Sequence, residues 1–393
     1  MSRLWDKGVA LNERVLRYTA GEDHRLDARL VPYDVAASIA HAEMLAARNL
    51  LSEADLGRIR SGFEELARTH AAGDWQISLE DEDVHTALET RLTAAIGEAG
   101  ARVHLGRSRN DQVLVALRLY LRDAITEIEE CVDALRASLA TVSEAQGRIA
   151  LPGYTHLQQA MPSSVALWAD GFSSELGDDR LGLAAARRRL HKNPLGSAAG
   201  YGTPGLPVDR LATTRSLGFG EIHEPVTAVQ LSRGKAESGL LFEIVLTLND
   251  AARLAADLLL FYTQEFAYIS LPDTLTTGSS IMPQKRNPDV LELARAAPAT
   301  AVACLDECLM ITAKLTSGYH RDLQRLKSPL FRGIDLAVDT LTIMAELVGG
   351  VEFRPENIRL DDGLSAAEEA NRLVVEEGIA FRDAYRRIAE KYK

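Results

Sequence analysis

Cysteine is scarce in this 393-residue chain: Cys131, Cys304 and Cys308 are its only three. So sparse and odd a set excludes a disulfide framework and suits a reducing compartment, so a cytoplasmic protein is expected. Cys304 and Cys308 stand four apart without a Cys/His partner set, and read as small buried apolar residues. Positive charge is also in deficit. Against 56 Asp+Glu there are 44 Lys+Arg, a net charge of −12 with a pI near 5.3. That sign argues against a nucleic-acid or anionic-membrane partner, either of which needs clustered cations. Long uncharged apolar runs are lacking. Residues 239–262, the most apolar stretch, carry Glu243, Asp250, Arg253 and Asp257, and the start Met1-Ser-Arg-Leu-Trp-Asp-Lys7 has no apolar signal core. Neither a membrane helix nor a secretory leader is expected. Period-two alternation is rare, so little sheet is expected. What remains, 46% hydrophobic and 25% charged, describes a globular chain with a large core and two or three domains.

Helical periodicity fills that space. Ser52, with Asp55 three residues on, reads as an N-cap ahead of Leu56, Ile59, Phe63 and Leu66. From Asp111 onward, Leu114, Leu117, Leu121, Ile125, Ile128, Val132, Leu135 and Leu139 mark a helix approaching thirty residues in length. Residues 162–190, 228–269 and 288–317 also read as helices. Several helices this long and this rich in Leu and Ala imply a bundle. Pro and Gly interrupt them at residues 151–156, 193–207 and 272–288 and near Gly349-Gly350, and chemistry on a helical scaffold gathers at such breaks.

Four segments carry chemistry. Thr277-Gly-Ser-Ser-Ile-Met-Pro-Gln-Lys-Arg-Asn-Pro-Asp289 combines a flexible start and two hydroxyls with Lys285 and Asn287, and Pro288 can open the next helix. Such a loop can close over an anion, though a capped helix–helix connector is an equal reading. In Gly106-Arg-Ser-Arg-Asn-Asp-Gln112, Arg107 and Arg109 can clamp carboxylates. Ser108 or Asn110 can equally be caps, with Asp111 complementing the helix dipole. Gly153-Tyr-Thr-His156 puts a histidine in a Pro/Gly loop, a place suited to proton transfer. Ser317-Gly-Tyr-His-Arg-Asp-Leu-Gln-Arg-Leu-Lys327 mixes aromatic, basic and amide groups, as would a solvated helix face. Glu80-Asp-Glu-Asp-Val-His85 reads as an acidic helix start rather than a metal site, because no further ligand spacing supports it. Gly200-Tyr-Gly-Thr-Pro-Gly205 matches a dinucleotide fingerprint formally. It follows no strand, contains Pro204 and lacks the distant acid, so that site is rejected.

Together these segments resemble the fumarase/aspartase superfamily and, within it, the argininosuccinate lyase family. The resemblance runs from about residue 12 to the C-terminus. It rests on residues 278–288, Asp83-Val-His-Thr86, Ser108-Arg-Asn-Asp-Gln112, Gly153-Tyr-Thr-His-Leu-Gln158, Gln284-Lys-Arg-Asn-Pro-Asp289 and Asp322-Leu-Gln324 with Lys327. It implies an all-α fold with an N-terminal helical domain (1–108), a long central bundle (109–350) and a short C-terminal helical domain (351–393). Central bundles of four chains would form a homotetrameric core, with active sites shared between chains. The implied reaction is reversible elimination of fumarate from argininosuccinate to give arginine, with no metal or organic cofactor. By resemblance Ser279 is the base, with Ser280 its neighbouring alternative, and His156 is the acid or orients a proton relay. Lys285 and Asn287 hold the succinyl carboxylate with Thr155 and Asn110 nearby. Tyr319, Gln324 and Lys327 hold substrate farther along, His85 belongs to the same shell, and Thr19 stands where the family often has a substrate-contacting serine. Arg109 and Arg233 complete the binding set.

Two departures stand out. Where the family's usual arginine is flanked by acids, this chain has Ser232-Arg233-Gly234-Lys235, with Arg233 expected to keep its role. The chain also stops at Lys393, short of many relatives, so either its C-terminal domain is trimmed or a longer native chain exists. A sister elimination on adenylosuccinate, a catalytically silent structural protein and a helical binding scaffold are the competing readings. The last needs neither the serine loop nor the histidine.

Overall fold

The structure, a computed structural model, describes residues 12–392. It divides into two compact units, each assembled from separated stretches of chain: a first of residues up to Glu127, Gly182–Ile244 and Val302–Asp335, and a second of Ile128–Leu181, Val245–Ala301 and residues from Leu336 on. Helices dominate both. In chain order they are α1 (Glu13–Ala20), α2 (Asp23–Leu26), α3 (Val31–Ala47), α4 (Glu53–Ala71), α5 (Val84–Ile96), α6 (Glu98–Ala101), α7 (Arg109–Gln146), α8 (Val165–Leu190), α9 (Arg210–Ser216), α10 (Val226–Leu231), α11 (Lys235–Tyr262), α12 (Asp289–Thr312), α13 (Lys327–Gly349), α14 (Ala366–Glu377) and α15 (Phe381–Lys391). The division between units falls inside the five longest, α7, α8, α11, α12 and α13.

Local chemistry sets the helix starts. Ser52 caps α4, its Oγ accepting from the Asp55 amide at 3.1 Å, and Asp83 caps α5 by accepting from Thr86 N at 2.9 Å. At α7, Asn110 N donates to Ser108 Oγ at 3.3 Å while Ser108 N donates to Asp111 Oδ1 at 2.9 Å. This reciprocal capping satisfies amides that the helix leaves unpaired. Of the two caps open in the sequence, Ser108 is the one used. The second oxygen of Asp111 accepts from Gly196 N and Ala198 N at 3.0 and 2.9 Å, tying the loop after α8 to the start of α7. Helix α7 runs for 38 residues, and Leu114, Leu117, Leu121 and Ile125 in the first unit and Ile128, Val132, Leu135 and Leu139 in the second are all buried.

In the first unit one apolar cluster gathers Ala37 and Ala40 of α3, Val115 and Leu119 of α7, and Leu195, Leu217 and Phe219. In the second, Trp168 stacks edge-on against Phe172 and Phe353, and Phe261 and Tyr268 extend the group. The Trp168 indole donates to Asp257 at 3.0 Å, which pairs the one polar atom of a ring otherwise suited to a core. Cys304 and Cys308 are buried and unpaired, and burial pushes the Cys308 thiol up to about 12.

Sheet is confined to three two-stranded pairs among the described residues. The largest is an antiparallel hairpin in the second unit, β1 (Ala150–Thr155) with β2 (Gln158–Ser164). It corrects the expected helix start at residue 162, because α8 begins only at Val165. The expected helix over 228–269 is also interrupted. It divides at Ser232–Gly234, where Gly234 adopts φ 80°, a conformation open to glycine and costly in a right-handed helix. The remaining pairs are β3 (Lys192–Asn193) with β4 (Glu221–Ile222), and β5 (Ile269–Ser270) with β6 (Glu352–Phe353).

Candidate active site

The first unit encloses a cavity of about 180 Å³ lined by Asp23, Asp27, Asp83, His85, Arg109, Asn110, Val113, Arg233, Tyr319, Arg321, Gln324 and Lys327. Seven of the residues expected from sequence meet here: His85, Arg109, Asn110, Arg233, Tyr319, Gln324 and Lys327. They arrive from the starts of α5 and α7, the break before α11, and the segment leading into α13.

Lys327 is buried, its Nζ 2.5 Å from Asp27 Oδ1 and 2.9 Å from Asp23 Oδ2. Burial opposes its charge, but Asp27 and Asp23 outweigh that and hold the ammonium above its ordinary value. Burial pushes the Asp23 carboxyl up to about 7, against the lowering pull of Lys327. These acids were not anticipated. The available signal was the spacing of Asp23 and Asp27, four apart, which on a helical turn places both carboxylates on one side.

Arg109 pairs with Asp83 and lies 3.7 Å from Glu82. Its guanidinium resists burial because Asp83 and Glu82 hold the charge. Arg107, the other half of the expected clamp, is absent from the cavity lining; it is buried and donates to Ser38 Oγ at 2.7 Å. Arg233 is buried, with Glu237 3.6 Å from its Nε. Asp23, Asp27 and Asp83 therefore line the cavity together with its cations.

Thr19 lies outside this lining. It belongs to an adjoining cavity of about 430 Å³ with Tyr18, Glu22, Glu307 and Arg325, which shares Asp23, Arg321 and Gln324 with the first. Gln324 Nε2 and Arg321 Nη2 donate to the Thr19 carbonyl at 2.9 and 2.8 Å, so the backbone of Thr19 orients two cavity residues.

The second unit holds the other expected residues: Thr155, His156, Ser279, Ser280, Lys285 and Asn287. Thr155 ends β1. His156 and Leu157 form the two-residue hairpin turn with φ 54° and 58°. A tight hairpin turn that matches strand twist needs positive φ at both central residues, at a steric cost that glycine avoids. The hairpin is anchored at its flanks, where Tyr154 Oη meets Tyr268 Oη at 3.2 Å and Gln159 bonds to Arg359 O and Asp361 N. Its tip is exposed, Leu157 to 75%.

The serine loop is closed at its base by Thr277 and Asn287, which exchange backbone hydrogen bonds of 3.0 and 2.8 Å. Asn287 Nδ2 donates to the Gly278 carbonyl at 3.1 Å. Within it, the amides of Ile281 and Met282 donate to Ser279 Oγ at 3.4 and 3.2 Å. Amide donors aimed at an oxygen favour its charged form. Ser280, Lys285 and most of the loop are exposed. Among the described residues no group of three His, Cys, Asp or Glu side chains is placed to hold a metal ion, and no helix is long and apolar enough to cross a membrane.

The class of protein is a lyase: the family profile described as "Lyase" matches residues 14–302. An argininosuccinate lyase of Sorangium cellulosum is 46% identical over 98% of this chain and 90% of its own. Another, of Thermotoga neapolitana, is 40% identical over 99% and 98%. The chain belongs to the argininosuccinate lyase family. Solved structures share the fold: EDDS lyase in complex with formate, with TM-score 0.81 and 24% identity over 97% of this chain and 76% of that one, and a class II fumarase of Schistosoma mansoni, with TM-score 0.80 and 17% identity over 96% and 88%.

Proposed function

We propose that the protein catalyses reversible elimination of fumarate from argininosuccinate, releasing arginine. The identity of 46% over nearly the whole chain to an argininosuccinate lyase carries the substrate assignment, and the residue chemistry supplies a route. Ser279 takes the proton from the carbon next to a carboxylate, leaving an aci-carboxylate. Its hydroxyl is a very weak base, so its alkoxide needs the Ile281 and Met282 amides, the Lys285 charge and exclusion of water. Collapse of the aci-carboxylate forms the carbon–carbon double bond and breaks the C–N bond. The leaving guanidino nitrogen takes its proton from His156, directly or by relay.

Lys285 and Asn287 meet the succinyl carboxylate, with Thr155 and Asn110 beside them, and donors placed where charge develops lower the barrier. Ser280 is the alternative base. His85, Arg109, Arg233, Tyr319, Gln324 and Lys327 hold the rest of the substrate, with Thr19 at the margin. No cofactor takes part.

The assembly is proposed to be a homotetramer with shared active sites, built on a central domain of residues 109–350 flanked by 1–108 and 351–393. Exposed apolar side chains on long helices support a second copy as their cover: Leu293 is 72% and Met310 77% exposed. A cytoplasmic setting fits three unpaired cysteines.

The test is direct. Purified protein incubated with argininosuccinate should release fumarate, read by its ultraviolet absorbance, and adenylosuccinate should not replace it. A folded tetramer that forms no fumarate would exclude the reading, and fumarate release from adenylosuccinate alone would reassign the substrate.

A further inference from the structure

Behind His85, one of the substrate-holding residues of the first-unit cavity, stands a row of buried polar groups, Asp34, Ser38 and Arg107, to which the reaction above assigns no role. His85 lines the cavity and is 3% exposed. Its Nδ1 lies 2.7 Å from Oδ2 of Asp34 on α3, a carboxylate only 1% exposed. Ser38 Oγ donates to the other Asp34 oxygen at 3.4 Å and accepts from Arg107 Nη1 at 2.7 Å. His85 Nε2, buried, has no hydrogen-bond partner among the described residues.

The arrangement is poor for stability alone. His85 is the second residue of α5, the positive end of the helix, where a cationic side chain is disfavoured. A buried ring nitrogen without a partner also carries a desolvation cost until something meets it. Both features make sense if a ligand supplies the missing partner and that ligand is an anion.

We propose that Asp34 is a positioning residue, holding the proton on His85 Nδ1 so that Nε2 donates a charge-assisted hydrogen bond to an anionic group of the bound substrate. The identity of that anion rests on the lyase reading above; the Asp34–His85 pair itself does not. Burial works against the imidazolium, but Asp34 first, then Asp83 and Asp27, raise His85 above its ordinary value. The other charged groups facing this region are Lys327 of α13, held by Asp27, Arg109 of α7, held by Asp83, and Arg107, which reaches Asp34 through Ser38. Asp34, Asp83 and Asp27 thus surround the ring, and Lys327 and Arg109 are already paired with two of them.

The experiment uses full-length protein labelled at its histidines, with the His85 resonance assigned by its loss in His85→Gln. In the wild type, His85 should titrate above about 6.5, the ordinary histidine value, and carry its proton on Nδ1 when neutral. Asp34→Asn should move that titration below the ordinary value. With argininosuccinate it should raise KM about tenfold near pH 7, one lost charge-assisted contact, while kcat stays within about threefold. The acidic shift of the kcat/KM profile should match the shift of the resonance, and Asp34→Glu should restore part of both. A merely structural role would lower folded yield without moving either profile.

An unchanged His85 titration in Asp34→Asn, or an unchanged KM, overturns the proposal. If that variant does not fold, the wild-type spectrum decides: a ring neutral at pH 7, or protonated on Nε2 when neutral, overturns it. If the wild type releases no fumarate, the lyase reading fails, and the His85 resonance still decides whether Asp34 controls the ring.

Discussion

The two units treat their polar residues in opposite ways. In the first, the cavity groups are buried and held by other side chains of the same unit: Lys327 between Asp23 and Asp27, Arg109 against Asp83, His85 against Asp34. In the second, the reactive groups sit on exposed turns and are held mainly by backbone. Ser279 lies under two amides and His156 stands at a hairpin tip with positive φ. Buried charges must be paired within the fold, so the binding groups are built into the first unit's stability. Exposed turn residues contribute little to stability, so the second unit can lose its chemistry without losing its fold.

Ser279→Ala is the severest test of this contrast. Turnover should fall about 10³-fold or more, as expected when a catalytic base is lost, while stability changes by less than about 1 kcal/mol. Steady-state kinetics with denaturant unfolding checks both. Near-normal activity would remove Ser279 as the base, and a collapse of stability would break the contrast. Lys327→Met should behave in the opposite way, leaving Asp23 and Asp27 buried without their cation and costing about 3–5 kcal/mol. A urea midpoint close to the wild type would show that the cavity tolerates unpaired acids.

Smaller effects refine the picture. Leu157→Gly relieves a left-handed conformation at the hairpin turn and should stabilise by about 0.5–1 kcal/mol, offset in part by the freer unfolded chain. Thermal melting would show it, and a lower melting temperature would mean that Leu157 makes contacts that outweigh its strain. The weakest effect concerns pH. Because the folded Asp23 carboxyl is raised to about 7, its contribution to stability is fully present below about 3.8 and is lost as pH rises through 7. Asp23→Asn, which cannot ionise, should flatten that fall in melting temperature between about pH 4 and 7. An undiminished slope would assign the dependence to other groups.

Much of the local structure was legible. Ser52 with Asp55 announced a helix start, and Ser108 or Asn110 ahead of the α7 pattern offered another, because capping depends on residues within a turn of one another. The apolar positions along α7 announced a helix approaching thirty residues for the same reason, short of the 38 that form. Other features were not. The hairpin flanking His156 has no clean alternation, since Leu151 and Pro152 are both buried in β1, so residues 158–164 were partly read as helix. Gly234 was visible, but its positive φ was not. The expected clamp of Arg107 and Arg109 split, because Arg107 turned inward to Ser38. Asp23, Asp27 and Asp34 were missed because nothing within a few residues of each shows that Lys327 or His85 will be its partner.

By itself the sequence determined what short-range physics can set: an all-α chain, long helices with marked starts, and a serine–lysine loop whose pattern resembles that of the fumarase/aspartase superfamily. Only the tertiary structure decided which charges would be buried together. Ion pairing in a low-dielectric interior joins residues some three hundred positions apart, such as Asp27 and Lys327, and a buried charge is tolerated only where such a partner is delivered.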